Sequence, residues 1–216
     1  FKRIDFSGIL AGCDPAALCA LEALLVFDED GTAPEGLIGR LAHRYRKLIE
    51  HPPLTEDASR PDAGCIMFTT SGTTKAPKFV LHDQGTLIRH ARDVASDFGY
   101  GAAETKILVT APLCGVFGFC NAMAAIAAGR PLVMYPSFDA LEAARAVQRH
   151  AITHTHATDD MIHQMLAAVS EAQPFPSVKF FGFGAFSTAL ADLPARAEAR
   201  GLRLVGIYGM SEVQAL

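Results

Sequence analysis

The chain has 216 residues, half of them hydrophobic and 19% charged, and its formal net charge is −4, from 19 Lys and Arg against 23 Asp and Glu. Disordered chains combine low hydrophobicity with high net charge, so this composition indicates a folded protein whose core needs no disulfide or metal. The acidic balance excludes the basic surface by which proteins bind nucleic acid or an anionic membrane.

Short apolar runs alternate along the chain with segments of helical periodicity. Up to residue 98 the pattern predicts strands at 23–27, 65–68 and 79–81, helices at 35–50 and 86–98, and loops at 51–63 and 69–78. Beyond it, strands at 107–110, 131–135, 152–156, 178–183 and 203–208 alternate with helices at 119–128, 140–150, 160–171 and 190–200. Strands separated by such helices are typical of βαβ units, so we predict an α/β fold with a mostly parallel β-sheet flanked by helices.

One stretch, between Lys106 and Arg130, carries no charge and is long enough to span a bilayer. Pro112, Asn121 and two glycines interrupt it, which favours a buried strand followed by a buried helix. We therefore expect no transmembrane segment.

The five cysteines form no Cys-x-x-Cys pair, and their number is odd. This pattern predicts reduced, mostly buried thiols, as in a cytoplasmic protein.

The loop at residues 69–78 combines hydroxyl side chains, a glycine and two lysines. Hydroxyl and loop N–H groups donate hydrogen bonds to phosphate oxygens, glycine permits close approach of the backbone, and lysine neutralises charge. The Walker A pattern is absent. The candidate phosphate-binding residues are Thr70, Ser71, Gly72, Thr73, Thr74 and Lys78.

This loop resembles the phosphate-binding loop of the adenylate-forming superfamily, which includes acyl- and aryl-CoA ligases, luciferases and peptide-synthetase adenylation domains. Residues 70–78 match its pattern, Ser/Thr-Ser-Gly-Ser/Thr-Thr-Gly-x-Pro-Lys, except at Lys75, where the family has Gly. A second family motif, Tyr-Gly-x-Ser/Thr-Glu, occurs at residues 208–212, and residues 181–185 resemble the Gly-Gly-Ala segment that lies along the adenine. The resemblance covers the chain from about Gly64 to its end, and residues 1–60 are compatible with it.

The resemblance implies an enzyme that uses ATP and Mg²⁺ to convert a carboxylic acid into an acyl-adenylate and then transfers the acyl group to CoA. Lys78 and Ser211 would act in catalysis, with Ser211 reaching the α-phosphate, and Glu212 would act in catalysis and bind Mg²⁺. The implied nucleotide contacts are Gly184, Ala185, Phe186, Tyr208, Gly209, Met210 and Ser211.

The implied acid substrate is apolar. Relatives that activate amino acids place an Asp opposite the substrate ammonium, and no Asp or Glu lies between Lys106 and Arg130. Phenylalanines and Met123 occur instead, which favours a fatty, alicyclic or aryl acid, although each is also an ordinary core residue type. Many relatives carry His or an aromatic residue at the position of Gly115. The candidate substrate contacts are Gly115, Phe117, Gly118, His156 and Phe183.

Two other functions stay open at this stage. Residues 24–32 resemble the motif of haloacid-dehalogenase-type phosphatases, with Asp28 as nucleophile and Asp30 as general acid before Gly31 and Thr32; a polar turn is the plainer explanation. An adenylating enzyme that loads a carrier protein instead of CoA is the nearer alternative.

A group of histidines and acids also permits a metal site, although hydrogen-bonded histidines beside an α/β crevice explain the same residues. They are His154, His156, His163, Asp159 and Asp160. We expect His82 and His90 to be surface or loop-anchoring residues.

Family members are longer than this chain. We therefore expect residues 1–216 to be a fragment of the N-terminal AMP-binding domain, without that domain's start and without the C-terminal lid domain. The isolated fragment is then expected to be inactive or very weak. The sequence is compatible with a homo-oligomer.

Overall fold

The computed structural model describes residues 5–27, 36–70 and 77–215, and the chain divides into two compact units, Phe1–Ala58 and Ser59–Leu216. The first unit contains a small sheet in which β1 pairs in parallel with β3 and β2 pairs antiparallel with β3. Its elements are α1 (Phe6–Ala11), a 3₁₀ turn (Pro15–Leu18), β1 (Ala23–Val26), β2 (Gly36–Leu37), β3 (Arg40–Arg44) and α2 (Tyr45–Leu48).

The helix predicted at residues 35–50 is wrong, because β2 and β3 occupy most of that range. Ile38 and Gly39 have φ values of 50° and 70°, and two successive residues of positive φ make a tight hairpin turn that no helix can contain. The apolar spacing of Leu41 and Tyr45 fits both structures, so the turn geometry decides between them.

The second unit begins with an antiparallel hairpin of β4 (Gly64–Thr70) and β5 (Lys78–Asp83), followed by α3 (Gln84–Asp97). Asp83 caps α3, since its carboxylate accepts a hydrogen bond from the N–H of Thr86 at 2.6 Å.

A five-stranded sheet forms the centre of this unit, and every pair of neighbouring strands is parallel, in the order β10-β9-β8-β6-β7. This confirms the prediction of an α/β fold with a mostly parallel sheet and flanking helices. The elements are β6 (Ile107–Val109), α4 (Val116–Ala127), β7 (Leu132–Met134), α5 (Ala140–His150), β8 (His154–Thr158), α6 (Asp159–Ala167), β9 (Phe180–Gly184), α7 (Leu193–Glu198) and β10 (Leu204–Gly206).

Side chains of the sheet alternate between two helical layers, as the pleat requires. Ile107 and Val109 pack with residues of α3 and α4, whereas Leu108 packs with α5, α6 and Phe181 on the other face. The uncharged stretch between Lys106 and Arg130 forms β6 and α4, as predicted, and among the described residues no helix combines the length and apolarity needed to cross a bilayer.

The order of the strands creates a crevice at one edge of the sheet. The chain leaves β6 toward β7 on one side and leaves β8 toward β9 on the other, so β6 and β8 are neighbours whose connections diverge. In open α/β sheets, ligands bind beyond the carboxyl ends of the strands at such a switch point. After β10 the chain adds a short antiparallel pair, β11 (Gly209–Met210) and β12 (Gln214–Ala215).

Candidate active site

Two of the predicted nucleotide-binding segments meet at the carboxyl edge of the sheet. Gly206 pairs with Phe183, and the N–H of Ile207 donates to the carbonyl oxygen of Phe183 at 3.0 Å, which extends the pairing beyond the end of β10. Tyr208 and Phe186 follow directly and are 80% and 78% exposed. The structure therefore places an exposed aromatic ring after each of two neighbouring strands, and each ring is available for stacking on a flat ligand.

The ring of Phe186 lies against the backbone of Gly184. A Cβ atom added at Gly184 would come within 2.8 Å of Cε2 of Phe186. The glycine therefore allows the aromatic ring to cover the end of β9, while Ala185 remains exposed beside it.

The residues that flank the predicted phosphate loop lie opposite each other. Thr70, at the end of β4, pairs with Lys78, at the start of β5, and Lys78 is exposed. Four of the predicted phosphate-binding residues lie outside the described residues: Ser71, Gly72, Thr73 and Thr74. The same is true of Lys75, which stands where the family has Gly.

A buried histidine joins the hairpin to the segment that contains the second motif. Nε2 of His82 lies 2.7 Å from the carbonyl oxygen of Ser211, and Nδ1 lies 3.5 Å from Nε2 of Gln214. Nε2 must be the protonated nitrogen, because a carbonyl oxygen only accepts. The sequence predicted that His82 is either a surface residue or a loop anchor. The structure shows a loop anchor that is buried.

Ser211 and Glu212 occupy the turn between β11 and β12. Ser211 is half-buried and Glu212 is exposed. No group of three or more metal-ligating side chains occurs within the described parts of the chain, so the histidine–acid metal site is not supported. A single carboxylate suits Mg²⁺, which is commonly held by one or two carboxylates together with water and substrate phosphates. Glu212 fits that requirement.

His156 lies in a buried aromatic environment between β8 and the layer of α3 and α4. Its ring centroid is 5.4 Å from that of Phe98, 5.5 Å from Phe180 and 6.1 Å from Phe117. Nε2 is 3.5 Å from the hydroxyl oxygen of Tyr100, and Nδ1 has no hydrogen-bond partner within the described part of the chain. Phe117 and His156, both predicted substrate contacts, are therefore brought together, with Phe117 half-buried and His156 only 1% exposed.

Burial lowers the pKa of His156 to about 3, with a smaller contribution from neighbouring His154. His156 is therefore neutral throughout the physiological range. The hydroxyl of Tyr100 donates to Oδ1 of Asn121 at 2.7 Å, so the aromatic environment also contains a short polar chain.

Two other predicted substrate contacts are placed differently. Phe183 pairs with Ala157, one residue beyond His156, and packs against the layer of α5, α6 and α7 on the opposite face of the sheet. Gly118 is fully enclosed, and a Cβ atom there would come within 2.3 Å of the carbonyl oxygen of Ala111. The structure therefore gives both residues packing roles.

Gly115 is the remaining predicted contact, and it is exposed at the start of α4. Among the residues that the structure describes, a Cβ atom there would have the carbonyl oxygen of Pro112 as its nearest neighbour, at 3.7 Å. Its φ of −103° suits any residue, so a side chain at this position would have room.

Asp159 lies at the candidate site, whereas the sequence placed it only in the possible metal group. It follows β8 directly, is 2% exposed, and accepts hydrogen bonds from the N–H groups of Phe186 and Ser187. The position of Asp159 directly after a central parallel strand could have identified it from the sequence. Its hydrogen-bond donors, 27 and 28 residues further along the chain, could not be predicted from residue spacing.

The fold and this edge define a class: an α/β domain of the adenylate-forming type, with its candidate site beyond the carboxyl ends of parallel strands. The chain belongs to the AMP-binding enzyme family, whose model matches residues 13–216. The match includes residues 28–32, which lie outside the described residues, and the phosphatase alternative gains no support.

Several of the named relatives are CoA ligases. Indoleacetate–CoA ligase of Aromatoleum aromaticum is 32% identical over 155 residues, covering 70% of this chain and 30% of that protein. A 2-succinylbenzoate–CoA ligase of Bacillus cereus is 28% identical over 189 residues, covering 87% of this chain and 38% of that protein. The chain thus spans about a third of these relatives.

The fold is also that of solved family members. The structure of o-succinylbenzoate coenzyme A synthetase from Bacillus subtilis in complex with ATP and magnesium ion matches with a TM-score of 0.70 and 21% identity. The match covers 88% of this chain and 40% of that chain.

Proposed function

We propose that the full-length protein containing this chain activates an apolar carboxylic acid with ATP and Mg²⁺, forming an acyl-adenylate and pyrophosphate. It then transfers the acyl group to the thiol of CoA and releases AMP. One observation carries the proposal: residues 184–186, residues 208–212 and the Phe117–His156 pair lie around one end of the sheet. The hydrogen bond from His82 to Ser211 connects strand β5 to residues 208–212, and Thr70 and Lys78 lie at the other end of the same hairpin.

The chemistry requires positioning and charge neutralisation more than covalent assistance from the protein. The acid's carboxylate oxygen attacks the α-phosphorus of ATP, and pyrophosphate departs. Lys78 and the hydroxyl loop would hold the β- and γ-phosphates, Tyr208 would pack on the adenine, and Ser211 would reach the α-phosphate. Glu212 would hold Mg²⁺, which when bound neutralises charge on the phosphates.

The aromatic environment of His156 supports an apolar acid. Phe117, at the first turn of α4, lies beside a histidine that is kept neutral, so this region offers little to pair with a charged substrate group. Phe183 and Gly118 are not part of this proposal, because Phe183 packs on the opposite face of the sheet and the backbone of Ala111 encloses Gly118.

We propose a cytoplasmic location, which the cysteine pattern of the sequence predicts. All five cysteines lie in the described residues and are reduced thiols there. Cys19, Cys65 and Cys114 are exposed and only Cys120 is buried, so the prediction of mostly buried thiols was wrong.

Acid-dependent exchange between ATP and pyrophosphate in the full-length protein tests the proposal, with a panel of fatty, alicyclic, aryl and amino acids. We expect exchange with apolar acids and little with amino acids. Glu212→Ala should abolish the metal-dependent exchange, whereas Glu198→Ala, an exposed acid at the end of α7, should leave it unchanged. An unaltered rate in the Glu212 variant would remove that residue from the site.

The acceptor is tested separately. Adding CoA or a carrier protein to the enzyme and its best acid should give a thioester with CoA. Thioester formation only with a carrier protein would favour the alternative that this enzyme loads a carrier.

A further inference from the structure

The carboxylate of Asp159 connects the ends of two neighbouring strands. Asp159 is the first residue of α6 and follows β8, whereas Phe186 and Ser187 follow β9. Oδ2 of Asp159 accepts hydrogen bonds from the N–H groups of Phe186, at 2.8 Å, and Ser187, at 2.7 Å. Oδ1 accepts one from the N–H of Asp160 at 2.9 Å.

A carboxylate this well buried is stable only because it is hydrogen-bonded. Burial alone would raise the pKa of Asp159, but the N–H donors of Ser187, Phe186 and Asp160 outweigh it and hold the pKa below its usual value. The group is therefore an ionised acceptor at neutral pH, and hydrogen bonds to an ionised acceptor are stronger than those between neutral groups.

Beyond the strand pairing of Gly184 and the bond that the carbonyl oxygen of Ser187 accepts from the N–H of Leu190, the segment that Asp159 holds buries little side-chain surface. Ala185 and Phe186 are exposed, and Ser187 is half-buried. A surface segment that buries few apolar groups opens at low free-energy cost, so buried hydrogen bonds determine how rigid it is. This segment contains the residues that the proposed function places along the adenine.

We propose that Asp159 is a positioning residue for the nucleotide: its carboxylate fixes the N–H groups of Phe186 and Ser187, so that residues 184–186 present a rigid surface to the adenine. The proposal rests on the proposed function. Asp159 itself need not touch ATP. Removing it should weaken binding of the nucleotide and leave binding of the acid unchanged.

The test compares Asp159→Ala and Asp159→Asn with Asp160→Ala in the full-length protein. Asp160 is a matched control because it is the neighbouring acid in the same helical turn, is exposed, and bonds within its own helix to Gln164. We expect the KM for ATP to rise about tenfold or more in Asp159→Ala, because two hydrogen bonds to a charged group are lost. The KM for the acid should stay the same, and Asp159→Asn, which keeps one acceptor oxygen, should lie between the two.

Two further measurements separate this role from a general loss of folding. Equilibrium dialysis with ATP reports nucleotide binding without catalysis, and hydrogen exchange reports the amides of Phe186 and Ser187 without nucleotide. We expect weaker ATP binding and faster exchange at these two amides in the Asp159 variants only. Misfolding would instead lower kcat and raise exchange throughout the sheet, and that result would overturn the proposal.

The two proposals fail in different ways. If the wild-type protein exchanges pyrophosphate but Asp159→Ala matches Asp160→Ala in KM for ATP and in amide exchange, the positioning role is refuted alone. If the wild-type protein neither binds ATP nor supports exchange with any acid, the proposed function is refuted and the positioning role with it.

Discussion

Acid should destabilise this domain through one buried histidine. The pKa of His156 falls from 6.5 to about 3 on folding, chiefly because burial disfavours the charged imidazolium. The unfolded chain therefore binds a proton that the folded chain cannot accept, and the free energy of unfolding decreases as pH falls from 6.5 toward 3. Each pH unit in that window changes it by about 1.4 kcal/mol.

The expected loss between pH 6.5 and pH 5 is about 2 kcal/mol, a substantial part of the 5–15 kcal/mol that stabilises a typical protein. His156→Gln keeps a polar side chain of similar size without a titrating group, so this variant should lack that part of the pH dependence. His150→Gln, at the exposed end of α5, serves as the control and should retain it.

Urea unfolding at a series of pH values measures the effect, and the slopes of the free energy against pH are compared between variants. The histidine's proton resonances should also fail to titrate above about pH 4. Equal slopes for the wild-type protein and His156→Gln between pH 6.5 and pH 5 would refute the reasoning, because the imidazole would then be accessible to protons in the folded state.

Two further predictions concern packing and the anchor. Gly118→Ala should lower the free energy of unfolding in urea by about 3 kcal/mol or more, because its Cβ would clash with the carbonyl group of Ala111. The control Gly115→Ala should lower it by less than about 1 kcal/mol. Equal decreases in the two variants would show that the β6–α4 loop adapts to the added Cβ. His82→Ala should remove the hydrogen bond to Ser211 and raise the KM for ATP by about tenfold. Hydrogen exchange should become faster at the amides of residues 211–214. An unchanged KM for ATP would mean that the turn keeps its conformation without the histidine.

Much of the fold could be predicted from the sequence because local signals and tertiary structure agree there. Helix α5 was predicted with both ends correct, since its apolar face and its Asp139 cap give the same boundaries. The small sheet of the first unit was missed because the apolar residues of β3 recur at a spacing that also fits a helix. The positive φ of Ile38 distinguishes the hairpin turn from a helix, but isoleucine as a residue type does not indicate a positive φ.

The candidate site was predicted less completely. Its motifs identified the segments at the carboxyl edge, but side-chain direction depends on strand register, and a one-residue difference places Phe183 and His156 on opposite faces. The roles of Asp159 and His82 depend on backbone groups far along the chain. Backbone groups are nearly the same in every residue type, so such partners cannot be recognised in the sequence.

The hydrogen bond between His82 and Ser211 joins groups 129 positions apart in the sequence. Contacts of such long range form late, because the intervening chain must first lose its freedom. On the ribosome, the β4–β5 hairpin therefore emerges well before the residues that complete its surroundings. The growing polypeptide should acquire affinity for a nucleotide only after residue 214 has left the exit tunnel.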